Sequence, residues 1–220
     1  MLYLRERDSM NSFQLKCIAI VTMLIDHIGA ILFPSMIGFR IIGRFSFPIF
    51  CFLLVEGFYH TRDVKKYMIR LGIFALISEI PYDLAFRNVF LEFTRQNVFF
   101  TLLLGVVLMY FLTRTNRTYV KLCYVFLAMW MAVLAGMSYD YRGILLIMIY
   151  YFCRNNQTAK LVLGSAWNFL WTGVQQFGTL ASIPIAFYNG KKGKSMKYLF
   201  YVFYPVHLLI LHFISSILMG

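Results

Sequence analysis

Apolar runs long enough to cross a bilayer follow one another along almost the whole chain, and they limit what it can fold into. A helix needs about 20 apolar residues to span the hydrocarbon core. Runs near that length fall at about 15–33, 41–59, 67–86, 97–113, 119–138, 143–153, 159–173, 176–189 and 198–218. Inside lipid the backbone must satisfy its own hydrogen bonds, so such runs become helices. With 60% hydrophobic residues, 14% charged ones and a mean hydropathy of +0.70, the 220-residue chain lies outside the range of soluble domains. The expected fold class is all-α: a polytopic transmembrane helix bundle of about nine spans. The sixth and seventh runs are short, which suits little tilt, extension into their flanks, or a broken pair packed against the bundle. No Pro/Gly/Ser-rich linker, low-complexity segment or internal repeat divides the sequence, so residues 1–220 are read as one domain.

The leading MLYLRERDSMNSFQ is too charged for the core of a cleavable signal, and no small-residue cleavage site precedes the first run. The first helix is therefore expected to stay in the mature protein. The net charge of +12 is read through topology before any polyanionic partner, because cytoplasmic loops collect Lys and Arg. With the N-terminus inside, the inner segments hold Arg5, Arg7, Lys16, Arg62, Lys65, Lys66, Arg70, Arg114, Arg117, Lys121, Arg154, Lys160, Lys191, Lys192, Lys194 and Lys197, which is 16 of the 21 basic residues. The outer side keeps Arg40, Arg44, Arg87, Arg95 and Arg142. This asymmetry predicts a cytoplasmic N-terminus, an outside C-terminus and an odd number of spans, with no nucleic-acid partner. Some inner cations could also hold an anionic ligand such as a nucleotide phosphate.

Cys17, Cys51, Cys123 and Cys153 lie in apolar runs or at their inner ends, which argues against a disulfide framework. No CxxC, CxxH or HExxH spacing occurs, so no metal site is expected. No GxxxxGKT phosphate loop is present either.

Ionisable residues within these runs cost roughly 2.5 to 3.5 kcal/mol each on insertion scales, and they mark functional sites. They are densest in the stretch 15–61, where Asp26 and His27 stand side by side and Arg40 and Arg44 head the second run. A rise of about 1.5 Å per residue puts His27 roughly 5 Å, Arg44 roughly 7 Å, Glu79 roughly 3 Å and Asp83 roughly 9 Å toward the outside from mid-span. His207 falls near the midplane, within about 6 Å of His27 in depth. Two imidazoles near one cavity are therefore expected just outside the membrane centre. Arg40 and Arg44 share a helical face, as do Glu79 and Asp83, so two cations facing two anions would neutralise neighbouring helices. That pairing would be either structural or part of the site. Asp26 and His27, being adjacent, must face different neighbours.

His60 and His212 are read as an inner-interface residue and a packing or lipid-interface residue. His27 and His207 are the functional candidates, since imidazole is the usual general base for an amine or hydroxyl nucleophile. Asn97, Tyr139, Asp140, Tyr141 and Arg142 would rim a pocket or form an ordinary polar cap. Glu56 lies near the inner end of the second run, at an expected cytosolic entrance.

The blocks MLIDHIGA, IGRFSFPIFCFLLVEGFYHTR, YMIRLGIFALISEIPYDLA, QNVFFTLLLG and YVFYPVHLLIL, in this order, resemble the TraX family of integral-membrane pilin N-acetylases. The likeness covers nearly the whole chain. The family in turn resembles the broader transmembrane acyltransferases, which carry a His in an early helix and a Phe-rich, Gly-ended second one. The resemblance implies acetyl transfer from cytosolic acetyl-CoA to an amine or hydroxyl of an acceptor at the outer side. The acceptor would be a pilin-like protein, a peptide or a glycan. The same resemblance implies a multi-pass protein of the bacterial cytoplasmic membrane, in contact with lipid, and leaves a homo-oligomer open. His27 would be the general base, with Asp26 tuning the site and His207 lining it. Arg44 and Arg40 would hold the thioester carbonyl region or a phosphate, or neutralise Glu79 and Asp83. Lys65, Lys66, Arg70, Arg114 and Arg117 would meet the nucleotide phosphates. Transfer could proceed directly or through an acetyl-histidine.

Two other readings remain. Membrane-embedded Asp, Glu, His and Arg also build proton relays, so a proton- or ion-coupled transporter fits, although no inverted repeat supports it. A silent assembly subunit would make the charged pairs helix glue and leave His27 and His207 unexplained.

Overall fold

The computed structural model describes residues 9–219, so Arg5 and Arg7 lie outside it. Among the described residues the regular structure is helical. The helices are α1 (Ser12–Ile31), α2 (Ile37–Gly43), α3 (Ser46–His60), α4 (Val64–Arg87), α5 (Val98–Leu112), α6 (Thr118–Leu134), α7 (Asp140–Phe152) and α8 (Gln157–Phe169). A 3-10 helix (Gly173–Ala181), α9 (Ser182–Ala186) and α10 (Lys197–Met219) complete the chain. Each apolar run of the sequence corresponds to one of these elements or to two in succession. Three helical stretches are long and apolar enough to cross a membrane: Ser12–Ile31, Ile37–His60 and Tyr198–Leu218. Val98–Leu112 and Thr118–Leu134 are shorter apolar helices.

Direction alternates along the bundle. Arg154, just beyond α7, donates from Nε to Glu56 of α3 at 3.1 Å, which joins the C-terminal ends of those helices. Trp167 near the end of α8 donates to the Arg142 carbonyl at 3.1 Å, returning the chain to the start of α7. Gln175 in the 3-10 segment meets Arg44, whereas Tyr188 beyond α9 meets Ser12 at 3.0 Å. This eighth segment therefore runs back toward the start of α1, and it is the segment that breaks the α-helical pattern, in place of the sixth and seventh.

α3 is the central helix. Phe47, Ile49, Cys51, Phe52 and Val55 are almost fully buried along it. At the rim, α6 turns Leu122, Phe126, Trp130 and Leu134 outward and buries only Ala128 and Ala132. Small residues inward and large apolar ones outward suit close helix packing in lipid, where hydrophobicity itself does not draw helices together.

Local chemistry explains the break between α2 and α3. Pro48 has no N–H for the Arg44 carbonyl four residues back, and its ring crowds that carbonyl. The α-helical bonding resumes only with Ile49 N–H donating to Phe45 O at 3.4 Å. Arg44 is thereby left at the joint. Pro81 in α4 and Pro205 in α10 remove the corresponding bonds to Ile77 and Tyr201.

Candidate functional site

α1 and α2 approach so closely that a methyl group on Gly43 would run into the Asp26 side chain, and one on Gly29 would run into Phe39. These contacts require glycine and bring Asp26, 9% exposed, against the α2 arginines. Arg40 donates from Nη1 to Asp26 Oδ2 at 2.9 Å and to the Asp26 carbonyl at 3.2 Å. Arg44 donates from Nη2 to the same carboxylate, from Nε to the Arg40 carbonyl at 3.3 Å and from Nη1 to Gln175 at 3.2 Å. The i, i+4 spacing of the arginines places both on Asp26, and one carboxylate serves two guanidinium groups. The cluster keeps a net positive charge.

His27 faces the other way. Its Nδ1 lies 2.7 Å from His207 Nε2, and His207 Nδ1 lies 2.7 Å from the Phe203 carbonyl. The rings are nearly parallel, at 3°, with centroids 5.0 Å apart, a separation that fits a hydrogen bond in line with both rings. Hydrogen-bond logic assigns the tautomers of the neutral pair. A carbonyl only accepts, so His207 Nδ1 carries the proton and its Nε2 accepts. His27 Nδ1 then donates, and His27 Nε2 keeps a free lone pair. His27 packs edge-on against Phe86 and Tyr204, at centroid distances of 5.3 and 6.0 Å.

Two cavities with four lining residues in common lie on the His27 side of this pair. One, of about 390 Å³, opens where α1 ends and is lined by Asp26, His27, Arg40, Arg44, Arg95 and Tyr139 among others. The second, of about 510 Å³, opens where α1 begins, with Lys16, Arg62, Arg70 and Lys192 in its wall. Met23, Phe50, Val98 and Tyr204 line both. Met23 stands one turn before His27 on α1, so the histidine is next to these shared residues.

The other sequence candidates divide. Glu79 and Asp83 do not face Arg40 and Arg44 as the spacing suggested. Glu79 bonds the Asn97 side chain, while Asn97 caps α5 through Phe99 N at 3.0 Å and donates to the Ala75 carbonyl at 2.8 Å. Asp83 accepts from Glu92 N at 2.7 Å and lies 3.7 Å from Arg87. These three acidic and amide groups tie α4 to the start of α5 and its preceding loop. In that loop the Thr94 hydroxyl and the Arg87 guanidinium hold the Glu92 carboxyl below its ordinary range. Asp140 accepts from Arg142 N at 2.8 Å in the first turn of α7, and neither residue lines the cavity. Arg70 does line the second cavity, and Glu56 and His60 stand there too. Lys65, Lys66, Arg114 and Arg117 lie outside its wall. Lys66 pairs with Asp63 at 3.6 Å, Arg114 donates to Tyr110 at 2.8 Å and Arg117 to Tyr119 at 2.9 Å. Among the described residues, no three His, Cys, Asp or Glu side chains are placed to hold a metal ion.

Tyr139, read from the sequence as pocket rim or polar cap, lines the first cavity, whereas the sequence does not single out Gln175 and Tyr204, and Lys16, Arg62 and Lys192 enter only as members of the inner charge count. Tyr139 stacks face to face on Phe47, 3.4 Å between centroids, beside Arg44. Within SYDYRG the string alone does not separate this cavity-lining tyrosine from Asp140, Tyr141 and Arg142, which lie outside the cavity wall.

The chain is 34% identical to the probable fimbrial assembly protein FimC, serogroup H1, of Dichelobacter nodosus, across 91% of this chain and 94% of that protein. It is 30% identical to an uncharacterized protein of Rickettsia prowazekii (strain Madrid E), across 68% of this chain and 58% of that one. No solved structure matches. Residues 12–215 match the family model described as TraX protein, and this range holds α1, both cavities and the two paired histidines. The chain is a membrane protein, and it belongs to the TraX family.

Proposed function

We propose that this protein is a multi-pass acyltransferase of the bacterial cytoplasmic membrane, moving an acetyl group from cytosolic acetyl-CoA to an amine or hydroxyl at the outer side. The observation that carries the reading is the 2.7 Å contact of His27 Nδ1 with His207 Nε2, which leaves the Nε2 lone pair of His27, in the cavity wall next to the residues that line both cavities, for a substrate. All nine apolar segments cross the bilayer in this reading, with the start of α1 on the cytosolic side and the end of α10 outside. The loop cations at the α1 start agree with that orientation.

The second cavity suits the donor. Lys16, Arg62, Arg70 and Lys192 offer charge to nucleotide phosphates, and Arg70 Nε is buried without a hydrogen-bond partner. Leu53, Leu54 and Leu102 lead from there toward the shared residues, an apolar path for a pantetheine arm. Beside those residues, His27 Nε2 takes the proton of the acceptor N–H or O–H as the nucleophile bonds to the thioester carbonyl carbon. Arg40 and Arg44 favour the negative charge that develops on the carbonyl oxygen. The C–S bond then breaks, and the proton passes from His27 to the leaving sulfur. An acetyl-histidine route would use the same lone pair as nucleophile. The Dichelobacter relative is named for fimbrial assembly, so the acceptor we propose is a pilin-like polypeptide.

Calorimetry of acetyl-CoA and CoA against the protein in nanodiscs, with ATP as the charge control, tests this. Selective binding together with acetyl transfer that is lost in folded His27→Ala protein is the expected result. A folded protein that binds no acetyl-CoA overturns it. That outcome favours a proton-coupled transporter, which two cavities opening at opposite ends of α1 would also serve.

A further inference from the structure

The arginine-rich cavity holds more positive charge than its own carboxylates answer. Arg40, Arg44, Arg87 and Arg95 stand in its wall against one acid, Asp26. Arg87 is accounted for by Glu92 at 2.6 Å and Asp83 at 3.7 Å. Arg40 and Arg44 share Asp26, which leaves one charge over. Arg95 pairs with no carboxylate among the described residues and is exposed at the cavity. Arg40 uses only Nη1 in its bonds to Asp26, and its side chain is 30% exposed.

Before the transfer step neither reactant as so far described uses this surplus, and Arg95 has no part in the step itself. The donor's phosphates have their cations in the other cavity. The thioester is neutral before reaction, and Arg44 is nearly saturated by Asp26, Gln175 and the Arg40 carbonyl. A plain ammonium acceptor would be repelled by the cavity, whereas an acceptor with its own acid group would be drawn in. The same field favours the neutral form of an amine, which is the form that attacks. We infer that the acceptor is an acidic peptide: a chain whose N-terminal amine faces His27 while a carboxylate within its first few residues is held by Arg95 and Arg40. The inference rests on the acyl-transfer reading for the amine, and on the cavity's charge for the carboxylate. Arg95 is then a specificity-determining residue that leaves the reacting atoms alone.

The test measures peptide binding without acetyl-CoA, so it does not depend on transfer. The tetrapeptide amides Ala-Gly-Asp-Gly and Ala-Gly-Asn-Gly, with versions moving Asp to the second and fourth positions, are titrated against the protein in phosphatidylcholine nanodiscs. The best Asp peptide is expected to bind about 10- to 100-fold more tightly than its Asn partner, as a charge-assisted hydrogen bond would give. Arg95→Gln should remove most of that ratio and Arg95→Lys restore part of it, with acetyl-CoA affinity unchanged in both. Equal binding of every Asp and Asn pair overturns the inference even where acetyl transfer proceeds. A ratio unmoved by Arg95→Gln overturns it as well. So does discrimination that vanishes when phosphatidylglycerol is added, since the cavity then takes an anionic lipid headgroup. Loss of acetyl-CoA binding, measured separately, bears on the acyl-transfer reading alone.

Discussion

His27 Nδ1 and His207 Nε2 stand 2.7 Å apart across 180 positions of sequence. The bond joins α1 to α10, and the Phe203 carbonyl behind it decides which nitrogen of each ring carries a proton. If the pair is a base and its orienting partner, the two substitutions separate. His27→Ala should lower acetyl transfer by about 10²- to 10⁴-fold, the usual contribution of a general base. His207→Gln offers a weaker acceptor to His27 Nδ1 and should cost less, while His207→Leu, which offers none, should approach the His27 loss. Single-turnover rates on protein of unchanged melting temperature check the order. Wild-type rates for His207→Leu would show that the bond is packing only.

Asp26 is the one carboxylate shared by two guanidinium groups in a largely buried cluster, so removing its charge should be destabilising before it is anything else. Asp26→Asn is expected to cost about 3–5 kcal/mol, as for a broken buried pair. Asp26→Asn with Arg40→Gln should recover part of that loss. Thermal unfolding of the single and double variants in one detergent measures the coupling, and strict additivity would deny it.

The apolar runs, and hence the helices, could be read directly from the sequence because each is a long local pattern. The depth count also brought His27 and His207 to one level. Partner choice could not be read in the same way. Arg40 and Arg44 stand at the right spacing to meet Glu79 and Asp83, but spacing describes one helix and says nothing about which helix lies opposite. Gly43 decides the matter by letting α1 come close enough for Asp26 to take both arginines. Lys16, Arg62 and Lys192 were visible only as members of a topological charge count, because a cation facing a cavity and one facing bulk water look alike in a string. Asp140 and Arg142 show the converse ambiguity: polar residues at a run's edge read alike as pocket rim or helix cap, and these two serve a helix start.

Gly43→Ala is a case where two local rules oppose each other. Replacing glycine by alanine within a helix ordinarily gains about 1 kcal/mol. Here the added methyl meets the Asp26 side chain, and overpacking of this kind costs about 1–3 kcal/mol. The variant should therefore melt lower than the parent. A rise in melting temperature would mean that α1 and α2 can part without harm to the cluster.

Asn97 should behave as a structural tie. It caps α5 and supplies the hydrogen-bonding partner of buried Glu79. Asn97→Ala is expected to cost about 2 kcal/mol or more of stability, through a lost cap and an orphaned carboxyl group. The affinity for acetyl-CoA of the protein that remains folded should be unchanged.

The two sets of cations at the α1 start provide the sharpest separation between a charge read from sequence and a charge seen in place. Lys65, Lys66, Arg114 and Arg117 belong to that end of the bundle but point to exposed partners or lie outside the cavity wall. Lys16, Arg62 and Lys192 line the wall with Arg70. Replacing the first group together by Gln changes the long-range field, which salt screens over about 10 Å at 0.1 M. Its effect on acetyl-CoA affinity should be about twofold or less and should vanish in added salt. Replacing Lys16, Arg62 and Lys192 by Gln removes direct phosphate contacts and should weaken affinity by about 10-fold or more, with much of the loss persisting in salt. Calorimetry at two ionic strengths distinguishes them. Equal losses from both groups would return the phosphates to the loops and leave the cavity without its donor.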